Sequence, residues 1–239
     1  LKLEELNREK DGLIGVVAHD LKAPLNRTQA LVKMLGLEGT LNEIQKKYIE
    51  MIDIEIENAR KLIRDLLDTS ALEHHGSKIS VTEFDIGLLC RELVEFYQTP
   101  AREKNIKIHF IQSYSDENNS PLVMKSDRDF IRRILDNLLS NAVKFSPPQK
   151  NVYLSLSLEN QHVVIRVKDE GVGFTEEDKA KMFKKFQRLS AKPTGGESST
   201  GLGLSIIKSL VEKLNGEITL ESEWQKGAEF IVKIPLVYQ

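Results

Sequence analysis

Two consecutive amphipathic stretches of about thirty residues, split by a short glycine-bounded gap, constrain this chain more than anything else in it. In the first, Leu3, Leu6, Leu13, Val17, Leu21 and Leu25 share one helical face, with Glu4, Glu5, Arg8, Glu9 and Lys10 on the other. Leu3, Leu6, Leu13 and Val17 fit a coiled-coil seam, with Lys10 at one inward position. Pro24 lacks an N–H and crowds the preceding turn, but Thr28, Leu31, Val32 and Leu35 continue the pattern, so a kink is expected there rather than a stop. Gly36 to Gly39 reads as a turn. Thr40-Leu41-Asn42-Glu43 has capping-box spacing and opens the second stretch. Its inward positions are Leu41, Ile44, Tyr48, Met51 or Ile52, Ala59, Leu62, Ile63, Leu66 and Leu67. The phase slips near Glu55 and Ile56. The stretch runs to about Leu72 and ends at His74-His75-Gly76, a polar terminus rather than a metal site, since no third ligand has suitable spacing. One helical hairpin cannot bury apolar faces this long. Two hairpins in a four-helix bundle can, so a parallel homodimer through residues 1–76 is expected.

The pattern changes beyond Gly76. Ile79 to Phe84 reads as a strand, Ile86 to about Gln98 as a helix and Ile106 to Ile111 as a strand. A polar loop follows from Ser113 to Pro121, then a short strand at Leu122 to Met124. Ser126 and Asp129, at capping-box-like spacing, precede a helix to Phe145 that Pro147-Pro148 end. Val152 to Leu158 and Val163 to Val167 alternate as paired strands. Helices at Glu176 to Met182 and Leu202 to Leu214 precede a last hairpin, Gly216 to Ser222 and Ala228 to Leu236, across Gln225-Lys226-Gly227. The expected fold is an α helical hairpin over residues 1–76, followed over 77–239 by an α/β sandwich with a mixed sheet under one helical layer.

Four stretches carry chemistry. His19-Asp20 sits in the first helix, ahead of Pro24; alone it reads as an ordinary solvated pair. Asn137 and Asn141 share a helical face, and Lys144 follows on the same side. An amide oxygen can complete the shell of a hydrated Mg²⁺, and a lysine offers point charge to phosphate. Leu135, Leu138, Leu139, Ala142 and Val143 already supply the core face, which leaves the amides together on another. Asp169-Glu170-Gly171-Val172-Gly173-Phe174 follows an apolar strand. An acid there can accept from an exocyclic amine such as that of adenine, and glycines admit close backbone approach. Thr200-Gly201-Leu202-Gly203 stands where a helix begins, a natural anion site. Ser190 to Thr200, rich in small polar residues, has the composition of a lid. Phe183 and Phe186 at its start can hinge it or pack as core, and Arg188 can reach a terminal phosphate.

The net charge of −2 excludes the basic excess of a nucleic-acid binder. No apolar run is long enough for a transmembrane helix. One cysteine, Cys90, permits no intrachain disulfide and reads as core. The start at Leu1, in mid-helix and without Met, is that expected of a fragment. A cytoplasmic location is expected, and a membrane-bound sensor would be compatible with it.

With these residues in hand, the chain resembles the sensor histidine kinases over essentially its full length. His19 to Leu25 is similar to the family's H box, Asn137 to Lys144 to its N box, and Asp169 to Phe174 to its first glycine box. Phe183 to Arg188 is similar to the F box and Gly201 to Gly203 to the second glycine box. The resemblance implies a dimerisation and phosphoacceptor hairpin, then a Bergerat-type domain that binds ATP with Mg²⁺. It implies phosphorylation of His19 and transfer to an aspartate of a response regulator. By position, Asp20 would be the general base, Asn141 the Mg²⁺ ligand and Asn137 a phosphate support. Lys144 and Arg188 would contact phosphate, Asp169 would bind the adenine amine, and the Gly201 to Gly203 turn would hold the lid. Members that dephosphorylate their partner usually carry Thr or Asn four residues after the histidine; Ala23 stands there, so weak phosphatase activity is expected. Signal transmission through straightening or bending of the first helix near Pro24 is a further expectation. Gyrase-like and chaperone ATPases of the same nucleotide fold place a catalytic Glu where this chain has Asn137. A scaffold with a decayed site would not fill every nucleotide position with a competent residue.

Overall fold

In the computed structural model the chain divides into two compact units, Leu1–Ser77 and Lys78–Gln239. The structure describes residues 2–38, 40–73, 79–113, 121–187, 189–195 and 200–238; the side chains of residues 2–16, 19, 38, 68, 69 and 71–73 lie outside that description. The seam positions Leu3, Leu6 and Leu13, the His74-His75-Gly76 terminus and most of the polar loop before Pro121 therefore fall outside it.

The first unit is a hairpin of α1 (Lys2–Glu38) and α2 (Glu43–Glu73). Helix α1 continues through Pro24, and the Thr28 hydroxyl donates to the Pro24 carbonyl at 3.0 Å. The expected turn at Gly36 starts later: Gly36 and Leu37 are still helical. The capping box also moves. Asn42 Oδ1 accepts from Gln45 N–H at 2.9 Å while Gln45 Oε1 accepts from Asn42 N–H at 3.0 Å. Asparagine is the stronger N-cap, and its partner stands at the third helical position, so Thr40 and Glu43 do not form the pair. Ala18, Val32, Ile56 and Ile63 are buried between the helices. Ile56, where the sequence pattern slips, is thus a core position. A polar clasp joins the helices: Arg60 donates to Asn26 Oδ1 at 2.6 Å and to Glu57 Oε1 at 2.7 Å, and Gln29 reaches Glu57 at 3.3 Å.

The second unit holds two sheets where the sequence suggested one. Strand β1 (Val81–Asp85) pairs antiparallel with β3 (Val123–Asp127). The other sheet has the order β2 (Lys107–Ser113), β4 (Asn151–Glu159), β5 (His162–Asp169), β7 (Ala228–Pro235), β6 (Glu217–Ser222). It is mixed: β2 and β4 are parallel, and the remaining neighbours are antiparallel. The helices are α3 (Ile86–Glu103), α4 (Arg128–Phe145), α5 (Glu176–Lys181) and α6 (Gly203–Lys213). Alternate residues of β4 and β5, among them Val152, Leu154, Leu156, Val163, Ile165 and Val167, are fully or almost fully buried with Ile134, Leu135, Leu138 and Leu139 of α4. Cys90 is buried in α3, and burial pushes its thiol up to about 12, so it is packing and not a nucleophile.

Local capping explains where sequence boundaries slipped. Helix α3 runs past Gln98 and includes Pro100, and Asp85 caps its start by accepting from Gly87 N–H at 2.8 Å. Strand β3 extends through Ser126, so the α4 cap is Asp127, whose Oδ1 accepts from Asp129 and Phe130 N–H. Ser126 is interior strand, not a cap. Asp127 Oδ2 also accepts from Ser80 N–H at 2.8 Å, which satisfies the residue just before β1. The C-terminal tail ties in as well: Lys125 N–H donates to the Leu236 carbonyl and Tyr238 N–H to that of Lys125. Helix α4 is therefore fixed at its start by two strands, which sets the direction of the amides it carries.

Candidate active site

Helix α4 presents Asn137 and Asn141 toward the start of α6. Asn137 is buried, and its Nδ2 donates to the Arg133 carbonyl at 3.0 Å, which leaves Oδ1 aimed away from the helix backbone. A Cβ placed on Gly203 would lie 3.3 Å from Asn137 Oδ1 and 4.0 Å from Asn141 Nδ2. Gly203 opens α6, and no side chain caps that helix. Its first N–H groups thus have no side-chain cap competing for them, as an anion site requires. Thr200 Oγ1 accepts from Leu202 N–H at 3.2 Å and fixes the approach to the helix. Lys144 lies in the last turn of α4, with its ammonium 5.9 Å from the centre of the Phe145 ring.

The second element is the loop after β5. Asp169 is buried, and its Oδ1 accepts from Gly171 N–H at 2.8 Å. Burial pushes the Asp169 carboxyl up to about 6; the N–H groups of Gly171 and Ala228 oppose that rise. Gly173 has φ +67°, and a Cβ there would collide with the Glu223 carbonyl and stand 2.7 Å from that of Gly227. Only glycine fits both the conformation and the contact. Glu170 points elsewhere: its Oε2 accepts from Asn151 N–H and Nδ2 at 3.0 and 3.2 Å, a structural clamp onto β4.

The third element is the segment between the two glycine motifs. Phe183 packs under Lys208 of α6, whose ammonium sits 5.3 Å from the ring centre. Phe186 is 63% exposed and has φ +58°, so the two phenylalanines differ: one is packed and the other is not. Gly201, at φ +70°, lies against the backbone of Phe186 and Gln187. The motif ends thus meet at a neck. Arg188 and residues 196–199 fall outside the described residues. His19 and Asp20 belong to the first unit, on α1; the His19 side chain is outside the description, and Asp20 is exposed.

Comparison with known proteins matches both units to described families. Residues 126–238 match the family described as histidine kinase-, DNA gyrase B- and HSP90-like ATPase, and residues 9–75 match the His kinase A (phospho-acceptor) domain. The catalytic domain of histidine kinase ThkA is 30% identical with a TM-score of 0.56, over 66% of this chain and 97% of that one. The chain belongs to the sensor histidine kinases. Full-length ShkA in complex with AMPPNP superposes with a TM-score of 0.77 at 27% identity, over 95% of this chain and 46% of ShkA. The circadian input-output histidine kinase CikA of Synechococcus elongatus is 34% identical over 96% of this chain, which spans 30% of the length of CikA.

Within this histidine kinase the geometry adds residues that the sequence did not flag. Asp178 is almost fully buried, and its Oδ1 accepts from Ser190 N–H at 3.1 Å and Ser190 Oγ at 3.2 Å. Burial raises that carboxyl, but the hydrogen bonds from Ser190 and Thr175 outweigh it and hold the group below the usual carboxylate range. Thr194 N–H donates to the Lys144 carbonyl at 3.1 Å, and its hydroxyl to the Ser146 carbonyl at 2.8 Å. The first half of the expected lid is therefore stapled at both Ser190 and Thr194. Lys104 shares the Lys144 carbonyl from the α3 side at 3.0 Å. Composition marks the stretch that holds Thr194 but not its contacts, and does not mark Asp178; each acts through a partner outside its own segment. No group of three or more His, Cys, Asp or Glu able to hold a metal occurs among the described residues. Mg²⁺ needs none where phosphate oxygens and water fill most of its shell, and an amide oxygen of the kind Asn141 carries is chemically able to complete it. No helix among the described residues is long and apolar enough to cross a membrane.

Proposed function

We propose that this chain binds ATP between α4, α6 and the Asp169–Phe174 loop, phosphorylates His19, and passes the phosphoryl group to an aspartate of a response regulator. The observation that carries this reading is the convergence of Asn137 and Asn141 on Gly203 at the uncapped start of α6. That arrangement suits a polyphosphate, and the buried Asp169 at the end of β5 suits an exocyclic amine. Asn141 would hold Mg²⁺, which when bound neutralises charge on the phosphates. Asn137 and Lys144 would orient them, with Arg188, Thr200 and Gly201 contributing from the lid side. An imidazole nitrogen of His19 attacks the terminal phosphorus, the bond to the ADP oxygen breaks, and the proton on the other ring nitrogen is drawn toward Asp20. The resulting phosphoramidate then yields its phosphoryl group to a carboxylate, which regenerates His19. Positioning and electrostatics dominate such a transfer. ATP as donor points to a cytoplasmic setting.

A homodimer through residues 1–76 is part of the proposal. Large apolar side chains stand exposed along both helices, and a groove of about 600 Å³ is lined by Leu25, Tyr48, Met51, Ile52, Glu55 and Ile56. A second copy would cover that face. Label from γ-labelled ATP should be acid-labile and base-stable on the wild type and absent from His19→Gln; label that persists in His19→Gln would overturn the reading. Ala23 carries the corollary of weak phosphatase activity. Dephosphorylation of a phosphorylated receiver domain in the presence of ADP, well above its spontaneous rate, would contradict that corollary.

A further inference from the structure

We infer that Ser222 is a positioning residue for base recognition: its hydroxyl locks the Asp169–Phe174 loop and so sets the preference for adenine over other bases. The inference rests on the proposal that ATP binds at this loop.

The turn between β6 and β7 is laced to the loop at several points. Ser222 Oγ accepts from Phe174 N–H at 2.9 Å and donates to the Gly227 carbonyl at 2.7 Å. Gln225 N–H donates to the Val172 carbonyl at 2.6 Å. The Phe174 ring meets Phe230 edge-on, with centres 5.7 Å apart. A Cβ on Gly227 would run into the Asp169 carbonyl, so the turn also abuts the strand end that carries the acid. Ser222 stands at the centre of this lacing, because one hydroxyl ties the far end of the loop and closes the turn. Gly171 N–H is the loop's grip on the Asp169 carboxylate. A loop that drifts at Phe174 loosens that grip and leaves the carboxylate to the Ala228 N–H alone, so its direction is less fixed.

The consequence is selective. The proposed phosphate-facing groups lie on α4, at the start of α6 and in the lid, whereas the Ser222 hydroxyl bonds to Phe174 and Gly227, and those phosphate groups serve every nucleoside triphosphate alike. Adenine offers an amine where guanine offers a carbonyl. A rigid carboxylate rewards the first and repels the second; a loose one does so less. Ser222 therefore acts on the ratio between nucleotides and not on turnover at saturation.

The test uses the full chain with MgATP and MgGTP as competing donors. Ser222→Ala should raise KM for ATP several-fold, lower the ATP-over-GTP preference by roughly tenfold and leave kcat at saturating ATP within about twofold. Ser222→Thr, which keeps the hydroxyl, should restore the preference. A folded Ser222→Ala protein with an unchanged preference, or with equal losses for both donors, would overturn the inference. So would equal impairment of the Thr variant. If Ser222→Ala does not fold, amide exchange on the nucleotide-free wild type decides: a Phe174 N–H protected about a hundredfold or more supports the lock, and free exchange refutes it. A wild type that retains no adenine nucleotide would instead sink the proposed function, which separates the two failures.

Discussion

The two units treat apolar surface in opposite ways. In the α/β unit Leu154, Ile165 and Ile134 are wholly buried, and three helices and a sheet close over them. In the hairpin Ile44, Leu35 and Tyr48 are 64, 61 and 59% exposed. Both regions have the periodicity of good secondary structure, yet only the α/β unit completes its core within one copy. A closed core and an open apolar face suit different tasks. The α/β unit is a finished platform that can hold a ligand by itself. The hairpin leaves apolar side chains uncovered along both helices, the face that the proposed second copy would close.

Asn141→Ala should reduce phosphorylation of the chain about a thousandfold and leave the thermal unfolding of the α/β unit unchanged, because the amide serves ligand and not core. A comparable loss of stability would make Asn141 a packing residue. Leu154→Ala should destabilise the α/β unit by about 3 kcal/mol at any protein concentration. Leu35→Ala in a dilute, monomeric hairpin should fall within about 0.5 kcal/mol. Chemical denaturation of both variants measures the contrast, and similar values would erase it.

Asp169 gives a smaller, pH-dependent effect. Its carboxyl sits near 6 instead of 3.8, so the free protein protonates it as pH falls through about 6. An adenine amine needs the ionised acceptor, so ATP affinity should drop over that fall, by at most about tenfold per pH unit. Asp169→Asn should bind weakly with a flat profile. The stability of the free protein moves the other way. The folded state binds this proton more tightly than the unfolded chain, so the group's contribution to stability rises as pH drops from about 6 toward 3.8. Titration calorimetry and thermal melts across pH 5–8 distinguish the two slopes. The smallest effect is at the hairpin turn: Asn42→Ala should remove a cap of about 1 kcal/mol, where Thr40→Ala should remove almost none.

Much of this was legible in the residues, for reasons that are local. Helical periodicity gave the hairpin and α4, and alternation gave β4 and β5, because each reflects burial within a single element. The N-box amides stood out because five apolar neighbours already filled the core face of α4. Boundaries slipped where a better cap stood one or two residues away, at Asn42 for Thr40 and at Asp127 for Ser126. The second sheet was missed because β1 and β3 pair across α3 and β2, and short strands carry little signal of their partner. Ser222, Thr194 and Asp178 were missed for the same reason. Each is an ordinary polar residue whose role is set by what a distant turn or helix end brings to it, as when Ser222 meets Phe174 N–H.

The proposed reaction carries a phosphoryl group from a nucleotide on the α/β unit to one imidazole on the hairpin. Mapping the phosphate by mass spectrometry, on the full chain incubated with MgATP and digested at neutral to alkaline pH, tests it most directly. A single phosphate on His19 is expected. A chain that retains ATP but carries no phosphate there, or carries it on His74, His75 or a hydroxyl residue, would contradict it.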